Sequence, residues 1–427
     1  MVVTMLKCLY LVSLLLVVAN AEKPQLFGSK TPYQFISSKE MQLPIGYTPV
    51  KLFMQLRHGT CSVSERYFPS MINKLDLFRK QIDRDNVKME KSDIDAILAW
   101  EAKPGFVECP LIPEGNRQVV EFTRRLKHTL PELFNYDYTC ANYQVLSLEE
   151  NRCETSGQLF LETMFNTTEK ILKCDNNPVL FKTGDLKKKD PEFKLHEQQL
   201  NVQIEAWKTS HFINNVARRV ENKLGLGHGK VDFDILEAAL ESCCWGTAFH
   251  PENNSPWCSI FSERDHEIIL HADNMFYWYY VGYGNTFNVK LGCGVTQQLV
   301  DYFKQSSGQK AIIHMALRSN IFTMYTVLGL GKQSEPLKAD NYKGMDEMKW
   351  TTSRVIPFGA NFMAVLFEKK GDVNEYEDLL VAFYFNENLT IIQLNNGTTC
   401  EYCQLSEVIV KLQTYLNVNE CSKFNEL

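Results

Sequence analysis

Residues 48–69 read TPVKLFMQLRHGTCSVSERYFP, and the change in character at position 57 is the most informative feature of the chain. The apolar run at residues 50–56 predicts a buried strand. Arg57, His58 and Gly59 follow it directly, at the point where such a strand would turn. Two interpretations are open from these residues alone. They form either a basic turn with a hydrogen-bonded histidine, or an anion site that contains a nucleophile.

Two other apolar runs have the same organisation. Residues 143–148 (YQVLSL) and 311–316 (AIIHMA) each lead into a stretch with helical periodicity. Strands that alternate with helices predict an α/β sheet, and ligands of such sheets bind at the carboxyl ends of the strands. The first apolar run therefore places Arg57 and His58 where a ligand is expected.

The middle of the chain predicts a helical insertion. From about residue 162 to residue 280 the pattern is mainly helical, and it interrupts the alternation of strand and helix. We expect this insertion to cover the strand ends as a cap. The predicted domains are an α/β domain made of residues 22–161 and 286–427, and a helical cap at residues 162–285.

The N-terminus and the cysteines predict a secretory protein. Residues 1–21 contain one early lysine, the apolar run CLYLVSLLLVV and the cleavage pattern Ala-Asn-Ala, as a signal peptide does. Removal of Cys8 would leave twelve of the 13 cysteines, and disulfides are the expected use of an even number in an oxidising compartment. We expect secretion or residence in the endoplasmic reticulum lumen. N-glycans are expected at three sequons, Asn166, Asn388 and Asn396.

Composition and motifs exclude several classes of function. A net charge of −6 does not favour nucleic acid as a partner. No later run reaches the eighteen apolar residues of a membrane span. The zinc motif HExxH is missing, and GLGHGK at residues 225–230 lacks the spacing of a phosphate loop. We therefore expect no metal, no cofactor and no membrane span, while the oligomeric state stays open.

The arginine, the histidine and the glycine suit phosphoryl transfer. The planar guanidinium of Arg57 matches the oxygens of a phosphate in pairs. A neutral imidazole at His58 can attack phosphorus and form a phosphohistidine that water hydrolyses. Gly59 lets the backbone approach the anion closely. Three residues alone remain a weak signal.

The segment LRHGT resembles the motif R-H-G-x-R-x-P of the histidine acid phosphatases. FGSKTPYQ, NRCETSGQLFL, SPWCSIF and GYGNTFN resemble one branch, the multiple inositol polyphosphate phosphatases, and the similarity runs from about residue 27 to residue 395. The resemblance implies a sheet domain with a helical cap and a phosphorylated small molecule, such as an inositol phosphate, as substrate. It implies that His58 is the nucleophile and that Arg57 and Arg152 bind phosphate. It also suggests a disulfide between Cys244 and Cys258, with Cys243 as the alternative.

Several positions depart from the family pattern. Cys61 stands where the motif has its second arginine, and Arg66 is the nearest substitute if the loop carries an insertion. The family motif H-A-E supplies a phosphate-binding histidine and a proton donor after the third strand. An alignment without gaps puts Leu317 and Ser319 there, whereas the alternative register would use His314.

These departures leave two functional hypotheses. The first is a phosphatase that acts through His58 with weak activity, because the helper residues have changed. The second is a pseudophosphatase that binds an anion or a protein without turnover. Loss of a general acid typically removes ~10²–10⁴-fold of rate. The first hypothesis therefore predicts weak turnover that depends on His58, whereas the second predicts none, and an activity assay separates them.

Overall fold

The computed structural model describes residues 26–63, 68–101, 109–172, 183–253, 255–305, 308–371 and 379–425. The predicted signal peptide at residues 1–21 and Arg66 lie outside these described residues. The strands are β1 Tyr47–Arg57, β2 Tyr143–Ser147, β3 Ala311–Ala316, β4 Asn361–Lys369, β5 Leu379–Phe385, β6 Asn388–Thr390, β7 Ile392–Gln393, β8 Thr399–Cys400 and β9 Tyr402–Gln404.

The described residues also form fifteen α-helices. They are α1 Phe68–Arg79, α2 Lys91–Ala99, α3 Pro113–Thr129, α4 Pro131–Phe134, α5 Asn151–Phe165, α6 Thr183–Lys187, α7 Phe193–Lys208, α8 His211–Lys223, α9 Phe233–Phe249, α10 Glu263–Tyr280, α11 Cys293–Lys304, α12 Arg318–Val327, α13 Thr352–Val355, α14 Leu405–Val418 and α15 Cys421–Asn425. Short 3₁₀ turns occupy Gly28–Lys30, Tyr33–Phe35, Pro256–Ile260 and Asn288–Gly292.

In the described part of the chain, a seven-stranded mixed sheet forms the centre of the fold. Its strand order is β2-β3-β1-β4-β5-β6, and β9 pairs with β5. Strands β2, β3 and β1 are parallel, whereas β4 and β5 run antiparallel to their neighbours. The sheet with flanking helices confirms the predicted α/β class. Between β2 and β3 the described residues form helices but no strand, and the division into domain and cap stays a prediction.

Side chains on the two faces of the sheet pack into separate apolar clusters, because successive side chains of a strand point in opposite directions. Leu52, Met54 and Leu56 of β1 pack into the cluster that contains residues of α3 and α5. Phe53 points to the other face, where the second cluster joins helices α7 to α12 with α14. Both faces of β1 are therefore covered, which explains why its sequence is an almost continuous apolar run.

The expected disulfide between Cys244 and Cys258 is wrong. Cys243 bonds to Cys258, and their Cα atoms are 4.8 Å apart. Neighbouring helix positions point about 100° apart, so only one of the two adjacent cysteines on α9 can face the 3₁₀ turn that carries Cys258. Cys244 lies buried with its thiol unbonded, and burial raises the pKa of that thiol.

The other bridges use cysteines far apart in sequence as well as the C-x-x-C pair. They are Cys61–Cys109, Cys293–Cys421 and Cys400–Cys403, and Cys140 is disulfide-bonded too. The C-x-x-C pair is oxidised and joins β8 to β9. Among the described residues, no group of three or more histidine, cysteine or acidic side chains is placed to hold a metal ion.

The three sequons differ in their surroundings. Asn166 ends α5 in the left-handed conformation and is exposed, and Asn396 is exposed in a turn. The Asn388 side-chain nitrogen instead donates hydrogen bonds to the carbonyl oxygens of Ile36, Phe385 and Asn386. A glycan at Asn388 would have to be attached before this corner folds. None of the described helices is long and apolar enough to cross a bilayer.

Candidate active site

The register of three parallel strands brings the predicted site residues to one edge of the sheet. Arg57 at the end of β1 pairs with Ala316 of β3, and Ser147 at the end of β2 pairs with Met315. The segments that follow these strands therefore start side by side. They carry His58 after β1, Arg152 after β2 and Arg318 after β3.

The His58 ring is buried and oriented by its own loop. Its Nδ1 lies 2.8 Å from the carbonyl oxygen of Gly59, which accepts the Nδ1 proton. Nε2 then keeps its lone pair, as a nucleophile requires. Burial lowers the pKa of His58 well below its ordinary value of 6.5, and the charges of Arg57 and Arg152 lower it further. The imidazole is therefore neutral at physiological pH.

Glycines allow the loop after β1 to pass against the start of α3. A Cβ on Gly59 would lie 2.3 Å from the carbonyl oxygen of Gly115, and one on Gly115 would lie 2.0 Å from that of Thr60. Real Cβ atoms do not approach so closely, so both positions exclude side chains. Gln118 fixes the loop further, because its Oε1 accepts hydrogen bonds from the backbone nitrogen and hydroxyl of Thr60.

Arg57 is buried without a carboxylate in its hydrogen-bond contacts among the described residues. Its Nη1 donates to the carbonyl oxygens of Ser29 and Ile356, both at 2.6 Å. Its Nε has no partner in the described part of the chain, and the guanidinium lies 4.3 Å from the Phe358 ring centroid. Burial, and then the charge of Arg318, lower the pKa of Arg57 well below 12.5. A cation in these surroundings favours binding of an anion.

Arg152 occupies the first turn of α5, but a carboxylate shares its charge. Its Nη2 lies 3.2 Å from Oε2 of Glu150, the residue before the helix. The same helix supports the His58 loop, because the Gly59 nitrogen donates to Oγ of Ser156 at 3.3 Å. Arg152 therefore lies near His58 as expected, with part of its charge neutralised.

Arg318 is a member of the cluster that the sequence analysis missed. Its Nη1 donates to Oγ of Ser29 at 3.2 Å, while the carbonyl oxygen of Ser29 binds Arg57, so one serine joins two guanidinium groups. Its positive charge also lowers the pKa of His58. Its position in the sequence indicated this role, because Arg318 is a basic residue that closely follows β3 and lies between Leu317 and Ser319.

The residues directly before and after Arg318 in the sequence, Leu317 and Ser319, supply no imidazole and no carboxyl group. Leu317 precedes α12, and its backbone nitrogen donates to Oδ1 of Asn320 at 3.2 Å. Ser319 is buried in the first turn. Cys61 is locked in its bridge to Cys109. Cys61, Leu317 and Ser319 therefore offer a phosphate no cation and a leaving group no carboxyl proton.

His314 lies within β3 rather than at its end. It pairs with Gln55 of β1, is buried, and contacts the Phe53 ring at a centroid distance of 5.1 Å. Neither ring nitrogen has a hydrogen-bond partner among the described residues, and burial lowers its pKa to about 3. This position agrees with the ungapped register and makes His314 a neutral core residue.

A cleft of about 840 Å³ reaches this cluster from the side of the middle helices. Ser29, Asp273, Tyr277 and Arg318 form the part of its wall nearest to the candidate site. Asp273 accepts a hydrogen bond from the Ser29 nitrogen at 3.3 Å, and burial raises its pKa. Helix α10, which carries Asp273 and Tyr277, begins with a Ser262–Asp265 capping box.

The family model of the histidine phosphatase superfamily (branch 2) matches residues 76–386. The chain belongs to this superfamily. Histidine phosphatases related to it include multiple inositol polyphosphate phosphatase 1 of Drosophila melanogaster, 24% identical with 93% of this chain and 86% of that protein covered. The protein of that name from Gallus gallus is 26% identical, with 92% of each chain covered.

Solved structures of histidine phosphatases have the same fold. The phytase from D. castellii superposes with a TM-score of 0.71 at 14% identity, covering 93% of this chain and 87% of that chain. The multiple inositol polyphosphate phosphatase of Bifidobacterium longum, in complex with inositol hexasulfate, gives 0.65 at 14% identity, covering 91% and 97%. At such identities the likeness establishes the fold alone.

Proposed function

We propose that this histidine phosphatase hydrolyses phosphomonoesters slowly, through a phosphohistidine at His58. The observation that carries the proposal is a neutral, oriented imidazole among three arginine side chains, Arg57, Arg152 and Arg318. Their charges would bind the phosphoryl oxygens, and they also keep the nucleophile unprotonated. Such preorganised cations stabilise the charge of the transition state.

The proposed reaction has two steps. The Nε2 lone pair of His58 attacks phosphorus, and an N–P bond forms while the P–O bond to the alcohol breaks. The leaving alkoxide takes a proton from solvent. Water then attacks phosphorus, loses a proton and releases inorganic phosphate, and the N–P electron pair returns to Nε2.

The low rate follows from the residues after β3. Leu317 and Ser319 offer neither an imidazole to the phosphate nor a carboxyl group to the leaving oxygen. This chain therefore has Leu317, Arg318 and Ser319 where the ungapped register expects H-A-E. Loss of a general acid costs ~10²–10⁴-fold in rate for leaving groups that need a proton. Esters with acidic leaving groups avoid that cost.

The same replacements support the second candidate, a pseudophosphatase that binds an anion or a protein. Assays of the purified protein with nitrophenyl phosphate and inositol hexakisphosphate, beside His58→Ala, separate the two. We expect weak hydrolysis of the nitrophenyl ester, lost in His58→Ala, and none of the hexakisphosphate. Phosphate binding without any turnover would support the pseudophosphatase instead.

Reversion of the two positions tests the reason for the low rate. Leu317→His combined with Ser319→Glu should accelerate hydrolysis of unactivated esters. If the double substitution does nothing and His314→Ala abolishes a robust activity of the unchanged protein, the register is wrong.

The proposed location is the secretory pathway. The disulfides support an oxidising compartment, and exposed Asn166 and Asn396 are suitable glycan acceptors. The sequence of residues 1–21 supports the same location. Expression in a secretory host, followed by digestion with a peptide N-glycosidase, would test it, because a protein without glycans would not change in mass.

A further inference from the structure

The cleft beside Arg318 is rich in aromatic rings. Its volume of about 840 Å³ lies within the range of roughly 300–1,000 Å³ that is common for small-molecule sites. Six of the described lining residues are aromatic, namely Phe193, Phe233, Phe276, Tyr277, Tyr279 and Tyr280. Much of this surface can therefore pack against an apolar ligand.

The formal charges of the described residues that line the cleft cancel. Of these residues, three are basic and three are acidic when histidine is neutral, and they are Lys30, Lys187, Arg318, Glu197, Glu237 and Asp273. A ligand with many phosphates gains little from these lining residues, because together they carry no net positive formal charge.

Two of the three described cations are engaged by residues outside the arginine cluster. Lys30 forms an ion pair with Glu241 at 2.7 Å. Lys187 donates to Oδ1 of Asn288 at 2.9 Å, and burial lowers its pKa. Arg318 binds the Ser29 hydroxyl and faces the Tyr277 ring at 5.5 Å, and its charge lowers the pKa of His58. Of the described basic residues in the cleft wall, Arg318 is thus the one whose charge would meet a phosphate at His58.

The rings extend away from Arg318 along one helix. Tyr277 contacts Arg318, while Phe276 stacks on Tyr280, one turn further along α10, at a centroid distance of 5.3 Å. Phe276 is 38% exposed although it is a large apolar side chain. The wall therefore passes from a cationic end near His58 to an aromatic surface open to a ligand.

We propose that this cleft selects monophosphate esters whose alcohol carries an aromatic or extended apolar group, and that it disfavours polyphosphorylated ligands. This inference rests on the proposed function, since it assigns the substrate class of the same site. The phosphate binds at His58 and the arginine cluster. The apolar group of the ester packs along α10 against Phe276 and Tyr280.

Binding of non-hydrolysable phosphonates tests the proposal without any need for turnover. Titration calorimetry compares 2-phenylethylphosphonate with ethylphosphonate, which share the anionic group and differ by the ring. We expect the phenyl compound to bind ~10-fold or more tightly, because ring burial adds apolar contact area. We also expect it to bind more tightly than inositol hexakisphosphate.

Two variants locate the effect. Phe276→Ala should weaken binding of the phenyl compound far more than binding of ethylphosphonate and so remove most of the preference, while the protein stays folded because the exposed ring contributes little to the fold. The matched control is Tyr136→Ala, a 45% exposed aromatic residue outside the cleft, which should keep the preference.

The outcomes separate this inference from the proposed function. Equal affinity for the two phosphonates, tighter binding of the hexakisphosphate, or no measurable binding of the phenyl compound overturns the substrate class. A preference for the phenyl compound in a protein that turns over no ester supports the substrate class and overturns only catalysis. Turnover without a preference for the phenyl compound supports catalysis and overturns the substrate class.

Discussion

Replacement of Arg318 tests the arginine cluster most informatively. Arg318→Met keeps a long side chain and removes the charge that faces Ser29 and Tyr277. Because Arg57 and Arg318 both bind Ser29, we place the two guanidinium groups on one phosphate. A unit charge pair at 4 Å contributes about 4 kcal/mol at an effective dielectric constant near 20.

Solvent in the cleft reduces that figure, since the Arg318 side chain is exposed there. A charge-assisted hydrogen bond contributes about 1.5–3 kcal/mol, so we expect inorganic phosphate to bind about 10- to 150-fold more weakly to Arg318→Met. Calorimetry with phosphate near neutral pH measures the effect. Arg84→Met, which removes a 62% exposed arginine paired with Asp95, is the matched control. A phosphate affinity within twofold of the unchanged protein in Arg318→Met would refute the assignment.

Three further predictions follow from the same contacts. The ring proton signals of His58 should not titrate near pH 6.5, because burial and the charges of Arg57 and Arg152 keep the ring neutral into the acidic range. A titration midpoint at pH 6.5, measured by NMR, would contradict this prediction. Asp273→Asn should tighten phosphate binding at neutral pH several-fold, because it removes a carboxylate beside the arginines. If the variant instead loses turnover on alkyl esters selectively, Asp273 is a proton donor. Cys243→Ala should lower the free energy of unfolding by ~3 kcal/mol, because it removes a bridge with a sequence separation of 15, and thermal unfolding measures the loss. Cys244→Ala should keep the bridge between Cys243 and Cys258, which peptide mapping can show.

Local patterns in the sequence were enough to predict the strands that position the site. The apolar run predicted at residues 50–56 is the centre of β1, and β3 occupies residues 311–316 as predicted. Both strands are buried on two faces, so their side chains form continuous apolar runs that end abruptly at polar residues. His58 follows the end of β1, and Arg152 follows β2, which occupies residues 143–147 of the apolar run at 143–148.

Contacts between distant segments could not be predicted in the same way. Ser29 binds Arg57 and Arg318 because the segment before β1 passes across the end of the sheet. Gly115 is required by a backbone approach to Thr60 that nothing in its local sequence indicates. The choice between Cys243 and Cys244 depends on how α9 is rotated against the turn containing Cys258, which is a property of tertiary packing.

Trapping of the covalent intermediate tests the central claim most directly. The protein is mixed with nitrophenyl phosphate, quenched under alkaline denaturing conditions that preserve phosphohistidine, digested and examined by mass spectrometry. The account predicts one phosphoryl group on the peptide that contains His58, and neither that adduct nor turnover in His58→Ala. Turnover that persists undiminished in His58→Ala, or a phosphoryl group found only on another residue, would contradict it.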